Sequence, residues 1–298
     1  MRFTFLTTPV WIGLVLAFVF PYYGLALSRW GFLALFVLSL SNTVVFTFKS
    51  YSISRKAWVE LLTNVAICYS LLPALQLLLA KLMLHDRSLQ LGVLFAAISP
   101  VAIVAPQFLK KADWEKNKSV LYVLISTLLY PVLCYAYLKV LKLEGLGIQI
   151  WPLIWDVLAL TLIPLVISAG FEIFAGGLKH RFLGAFESPS RWLNMMLIGF
   201  LVFVYFGSGF AKINQSEITV VSLGGLVAIA IFQDFGTLGL MKILGFSRVE
   251  QISFSIKNVA LSGGVMLVFH PQATLACSFV FIAHALLFTL LSPKKAAI

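Results

Sequence analysis

The residues best placed to do chemistry lie in Ser253-Phe-Ser-Ile-Lys-Asn-Val-Ala-Leu-Ser-Gly-Gly264, inside an apolar run from Val249 to Phe269. A lysine near a bilayer centre costs roughly 2.5–3.5 kcal/mol on insertion scales, so Lys257 needs a reason to be there. The polar step Lys257-Asn258, followed by Gly263-Gly264, reads as a broken helix. Irregular backbone at membrane depth is tolerated only where it is buried in protein or lines a cavity. The stretch is therefore a candidate binding site, with Lys257, Asn258 and Ser262 as binding residues. Asp234 lies eight residues before Lys242, and Lys257 nine residues after Arg248. At 1.5 Å per residue both stand about 12–13 Å from one face, so a Lys257–Asp234 charge pair or proton-coupling pair is expected. His284, Asn42, Asn64 and Gln233 are secondary polar candidates, and Asp156 and Glu172 read as interfacial.

These residues need a membrane scaffold. The chain has 298 residues, is 61% apolar and 11% charged, and has a mean hydropathy of +1.00. Soluble domains carry about 45–50% apolar and about 25% charged residues, so this is a polytopic membrane protein. Its net charge of +11 does not indicate nucleic acid, because the bases fall in short loops between apolar runs. There they meet lipid headgroups. Cys68, Cys134 and Cys277 form no metal or redox spacing, and no P-loop or G-x-S-x-G is present. Neither a cofactor nor a resident metal is expected, and the chain is not read as an enzyme.

Ten spans are expected, near 8–27, 30–48, 57–83, 88–111, 117–141, 151–175, 189–211, 217–242, 249–269 and 271–293, with a loop near 176–188. Span one could pass for a signal peptide, but the topology needs it as a helix. Fifteen Lys and Arg fall on the side of the N-terminus and six on the other, with Lys257 between. Both termini are therefore expected to be cytoplasmic, in a multi-pass protein of the cell membrane. Ten spans divide as five and five, and an odd-numbered repeat must invert on duplication. The repeats would cover 1–145 and 146–298. Span four carries Pro100 and Pro106 mid-span, and span nine the Lys257 break. Paired interruptions at matching positions point to a transporter's site. If both spans are broken, helix N-termini and Lys257 together favour an anion.

Lys257-Asn-Val-Ala-Leu-Ser-Gly-Gly, with His270-Pro-Gln-Ala-Thr and His284 after it, resembles the bile acid:sodium symporter family. Ser99-Pro100, Ser126-Thr-Leu-Leu-Tyr-Pro131 and Leu71-Leu-Pro73 look like its earlier segments. The resemblance implies an all-α fold of ten helices in two inverted five-helix repeats. It also implies a panel of spans one, two, six and seven, and a core in which broken spans four and nine cross. It implies a substrate site around Lys257, Asn258, Pro100, Ala105, Pro106, Ser262 and His284, and transport by alternating access. The family's sodium glutamate falls on Ser253, its glutamine before the asparagine on Lys257, and its Ser-Asn pair on Ala105-Pro106. Of two hydroxyl ligands, one matches Ser119 and the other falls on Val123, and the span-three glutamine falls on Cys68. Sodium needs a hard oxygen cage, and most of those oxygens are absent. The reading is a secondary active or facilitative transporter of a small organic anion, with the proton or sodium as coupling ion. The alternatives are an auxin-efflux-like or cation/proton antiporter of similar fold, and a non-transporting membrane sensor or scaffold.

Overall fold

A computed structural model describes residues 4–44, 55–102, 105, 109, 113–140, 150–175, 178–213 and 219–291. Among them the regular elements are helical. They are α1 (Thr4–Val19), α2 (Pro21–Ala26), α3 (Ser28–Val44), α4 (Arg55–Met83), α5 (Arg87–Ile98), α6 (Asp113–Val140), α7 (Ile150–Ala175), α8 (Leu178–Ile213), α9 (Val220–Ile231), α10 (Thr237–Ile243), α11 (Arg248–Ser255), α12 (Val259–Phe269) and α13 (Thr274–Leu291). A π-helical turn, Phe232–Gly236, joins α9 to α10, and a 3₁₀ turn, Pro271–Ala273, leads into α13.

Among the described residues five helices are long and apolar enough to cross a membrane: Arg55–Met83, Lys118–Val140, Trp151–Gly170, Trp192–Lys212 and Val220–Ile243. The apolar stretches Thr8–Val19, Ser28–Ser41, Arg87–Ile98 and Val259–Val268 are shorter. Three of the ten spans are interrupted, spans four and nine as expected and span one in addition, and each break has a local cause. Span one is two helices, broken at Phe20 (φ −130°, ψ 55°), because a residue before proline is pushed out of the helical region. Span four stops at Ile98, and Ser99 turns extended (φ −48°, ψ 142°) ahead of Pro100 for the same reason. Span nine is α11 and α12, separated by Ile256, Lys257 and Asn258. The loop placed near 176–188 is instead helical from Leu178 onward.

α5 is nearly all buried from Leu89 to Ile98, as expected of a helix apolar on every side. Its first turn is capped by Asp86, which accepts from the Ser88 and Leu89 N–H groups at 2.6 and 3.3 Å. Gln272 in the 3₁₀ turn donates to the other Asp86 oxygen at 2.7 Å, which ties the lead-in of α13 to the start of α5. α12 and α13 pack on α5, and α9 packs on α13 and α4. α1 and α2 lie along α8, and α3 lies against α7 and α8. The α2–α8 contact is backbone on backbone: a Cβ on Gly24 would stand 2.7 Å from the Gly207 Cα. Trp30, Trp58, Trp151 and Trp155 are exposed within the first two turns of α3, α4 and α7, where interfacial tryptophans belong.

Gly92 on α5 meets the Ala273 carbonyl, and an added Cβ would also lie 2.9 Å from the Ala276 Cβ. Overpacking costs about 1–3 kcal/mol, so Gly92→Ala is expected to lower the Tm of the detergent-purified protein. Gly170→Ala, with nothing within 4 Å of its Cβ, is the matched control and is expected to cause no loss.

Candidate functional site

Breaking two helices side by side frees backbone groups that bilayer hydrocarbon cannot satisfy. The chain answers with a short antiparallel pairing in which Val101 faces Lys257. The Ala102 N–H donates to the Ile256 carbonyl at 2.8 Å, and the Asn258 N–H donates to the Pro100 carbonyl at 2.7 Å. The two remaining N–H groups point outward and find side chains. Val101 donates to Ser126 Oγ of α6 at 2.9 Å, and Lys257 donates to His284 Nε2 of α13 at 2.9 Å. Tyr69 of α4 donates its hydroxyl to the Ser99 carbonyl at 2.9 Å. α4, α6 and α13 thus hold the crossing from three sides.

The side chain of Lys257 leaves toward α4. Its Nζ lies 3.8 Å from the Tyr69 ring centroid and 5.6 Å from that of Phe254. The residue is 4% exposed, and no described acceptor reaches the amine. A desolvated cation over an aromatic face gains about 2 kcal/mol or more. The expected Lys257–Asp234 pair is not formed. Asp234 is fully buried in the π-helical turn, and its Oδ1 lies 2.8 Å from His284 Nδ1. A rise of 1.5 Å per residue sets depth only along a straight helix. The extended backbone at Lys257 sends its N–H toward α13 and its side chain toward α4, and the π turn re-aims Asp234.

The other expected site residues take several places. Asn258 caps the start of α12 through its backbone, with its carbonyl accepting from Leu261 N–H at 3.1 Å. Pro100 contributes its carbonyl to the crossing, and Ala105 is buried, donating its N–H to Ala102. Pro106 lies outside the described residues, as does most of the chain after the span-four break, so of the two expected helix N-termini the described one is that of α12. Ser262 Oγ sits among Ser99 Oγ at 2.5 Å, Tyr130 Oη at 2.7 Å and the Phe95 carbonyl at 2.7 Å, pinning α12 to α5 and α6. Ser119 and Ser253 come together, oxygen to oxygen at 2.8 Å. Cys68 Sγ packs on Met241 Sδ at 3.6 Å. Of the secondary candidates, Gln233 donates to the Ala96 carbonyl at 3.0 Å and Asn64 to Tyr122 Oη at 3.0 Å. No described cluster of three or more His, Cys, Asp or Glu has metal-binding geometry.

One polar group was missed. Glu250 on α11 is 1% exposed and accepts from Lys118 Nζ at 2.6 Å and Tyr122 Oη at 2.9 Å. Lys118 also reaches Glu60 at 2.7 Å, so one ammonium joins α4, α6 and α11. Beside it lies a cavity of about 380 Å³, lined by Glu60, Asn64, Glu250 and the turn from Leu244 to Ser247. The available signal was Glu250 at i−3 from Ser253, which puts both on one face of α11.

Lys118→Met is expected to destabilise the fold by roughly 3–5 kcal/mol, because it strands a buried carboxylate. Adding Glu250→Gln should recover much of that loss in the same thermal unfolding measurement.

The family model described as Sodium Bile acid symporter family matches residues 32–216. That stretch runs from within α3 past the end of α8 and stops before α9. No curated protein matches the chain.

Proposed function

The chain belongs to the sodium bile acid symporter family, and on that premise we propose that it is a secondary active or facilitative transporter of a small organic anion in which Lys257 takes the place of the coupling cation. The observation that carries this reading is the Lys257 ammonium, buried without an acceptor at the meeting of two interrupted helices. A buried charge with nothing to neutralise it is a strong attractor for an anion of opposite sign. The N-terminus of α12, starting at Val259 beside it, adds partial positive charge at the same place. Asn258, Pro100, Ala105, Pro106, Ser262 and His284 would surround the substrate once the crossing opens.

The same residues argue against two-sodium coupling. Lysine cannot ligate a cation. Ser119 and Ser253 satisfy each other, and Cys68 offers sulfur where a hard ion wants oxygen. Exchange, facilitated diffusion or proton coupling is left to drive the cycle. The architecture we propose is ten helices in two inverted repeats, 1–145 and 146–298, in a cell membrane with both termini cytoplasmic. The panel would be α1–α3, α7 and α8, and the core α4–α6 and α9–α13. The packing of α1, α2 and α3 on α7 and α8 supports that division. So does the grouping of α4, α5, α9, α11, α12 and α13 around the crossing. Alternating access would rock one group against the other.

Purified full-length protein should be screened by thermal unfolding against carboxylates and sulfonates, with and without sodium. An anion at about 100 times its Kd adds roughly 2.7 kcal/mol, a clear rise in Tm. That rise is expected without sodium and is expected to vanish in Lys257→Met. The variant's own Tm should not fall, since an unpartnered buried charge gives way to an apolar side chain of similar length. Steep sodium dependence of ligand binding or transport, unchanged in Lys257→Gln, would overturn the reading.

A further inference from the structure

His284 is the only side chain described that touches both the helix break and a buried carboxylate. Its Nε2 accepts the Lys257 N–H at 2.9 Å, so that nitrogen carries a lone pair. The ring proton is therefore on Nδ1, which faces the Val280 carbonyl at 3.0 Å and Asp234 Oδ1 at 2.8 Å. Apart from this ring, no described donor reaches either Asp234 oxygen, although the residue is fully buried. A carboxylate in that position is incomplete. It asks for a proton or for a cationic ring beside it.

The arrangement has one feature that a static ion pair lacks. A proton arriving at Nε2 makes the ring a donor on both sides. Asp234 balances the new charge, but the Lys257 N–H then faces an N–H instead of a lone pair. One of the four backbone N–H hydrogen bonds that hold the crossing is lost and replaced by repulsion. We propose that Asp234 and His284 form a proton-binding site whose occupancy is transmitted to the helix crossing through the Lys257 amide. The proton comes from water and adds to the Nε2 lone pair, and no covalent bond to carbon changes. Its ligand class is the proton, and its effect is to loosen the pairing of Ile256–Asn258 with Pro100–Ala102.

The other titratable groups on the surrounding elements are engaged elsewhere. The Lys257 amine lies over Tyr69 of α4, and Cys68 packs on Met241. Tyr205 of α8 donates to the Ala260 carbonyl, and Cys277 of α13 to the Gly92 carbonyl. His270 stands against Ser88 at the far end of α13, while Arg87 and Lys212 sit at the ends of α5 and α8. The π turn matters because its widened geometry brings Asp234 against α13, and such turns recur at functional sites.

The proposal rests on the transporter reading for its purpose, but its test needs no substrate, so the two can fail separately. Full-length protein in lipid bilayers, labelled at the histidine ring nitrogens, is examined by solid-state NMR from about pH 8 to about pH 5, the window in which imidazole changes charge. The chain has four histidines, and the His284 signal is the one lost in His284→Gln. In parallel, amide exchange of the segment around Lys257 is followed by mass spectrometry, corrected for the intrinsic effect of pH.

As pH falls, Nε2 of His284 is expected to pass from lone pair to N–H, with exchange at the crossing rising alongside. Asp234→Asn is expected to cut the doubly protonated population at a given pH by about tenfold or more, because an opposite charge at contact distance is gone. Three results would overturn the proposal: an Nε2 that keeps its lone pair throughout in folded protein, a protonated ring with unchanged exchange, or an Asp234→Asn titration that matches the parent. If Asp234→Asn does not fold, His284→Gln decides alone. Its amide can still accept the Lys257 N–H but cannot titrate, so exchange at the crossing must lose its dependence on pH.

Discussion

A chain that abandons its helix inside a bilayer must find a new partner for every backbone group it exposes, and that requirement organises this molecule. Four N–H groups are freed where Val101, Ala102, Lys257 and Asn258 meet. Two are satisfied by the opposing backbone, one by Ser126 and one by His284. The helices that supply Ser126, His284 and Tyr69 are consequently committed to fixed places around the crossing. In hydrocarbon each orphaned group would cost several kcal/mol, so the polar side chains here are structural before they are anything else.

On that frame the electrostatics divide into two sites of opposite character. Toward α4 stands an ammonium with only aromatic faces for company. Toward α13 stands a carboxylate with only an imidazole. They belong to adjacent helices and yet do not neutralise each other. Toward the other end of α11, Glu250 and Lys118 do neutralise each other, with tyrosine and asparagine completing the shell. The contrast separates a pair that neutralises itself from two buried charges that do not neutralise each other.

The sequence showed much of this, because its clearest signals are steric and compositional. Ser99-Pro100 and Lys257-Asn258 both mark real breaks, the first by proline's clash with the preceding residue and the second by polarity in an apolar run. Ser119 and Ser253, matched through the family resemblance, lie together although 134 positions apart in the chain. The partner of Asp234 was not legible, since residue counting assumes straight rods and both residues sit where the helix departs from one. His284 looked like one polar side chain among several, because nothing in the sequence says which backbone N–H will be left without a carbonyl. Glu250 and Lys118 sit at the edges of their spans, where charge ordinarily faces water. The stretch after Leu178 lacked apolar density, and hydropathy alone cannot tell an interfacial helix from a loop.

The glycine contacts of the outer helices have a mechanical meaning. Gly24 on Gly207 and Gly13 on Gly199 bring α2 and α1 against α8 with no side chain between the backbones. Side-chain layers work as bearings, since rotamers can exchange while two surfaces slide. At these two contacts there is no bearing. Moving these helices apart would open a slot too narrow for a lipid tail, and the lost dispersion energy would have no replacement. At these two contacts the outer helices are therefore pinned to α8, and sliding of α1 or α2 there meets backbone rather than a side chain that can change rotamer.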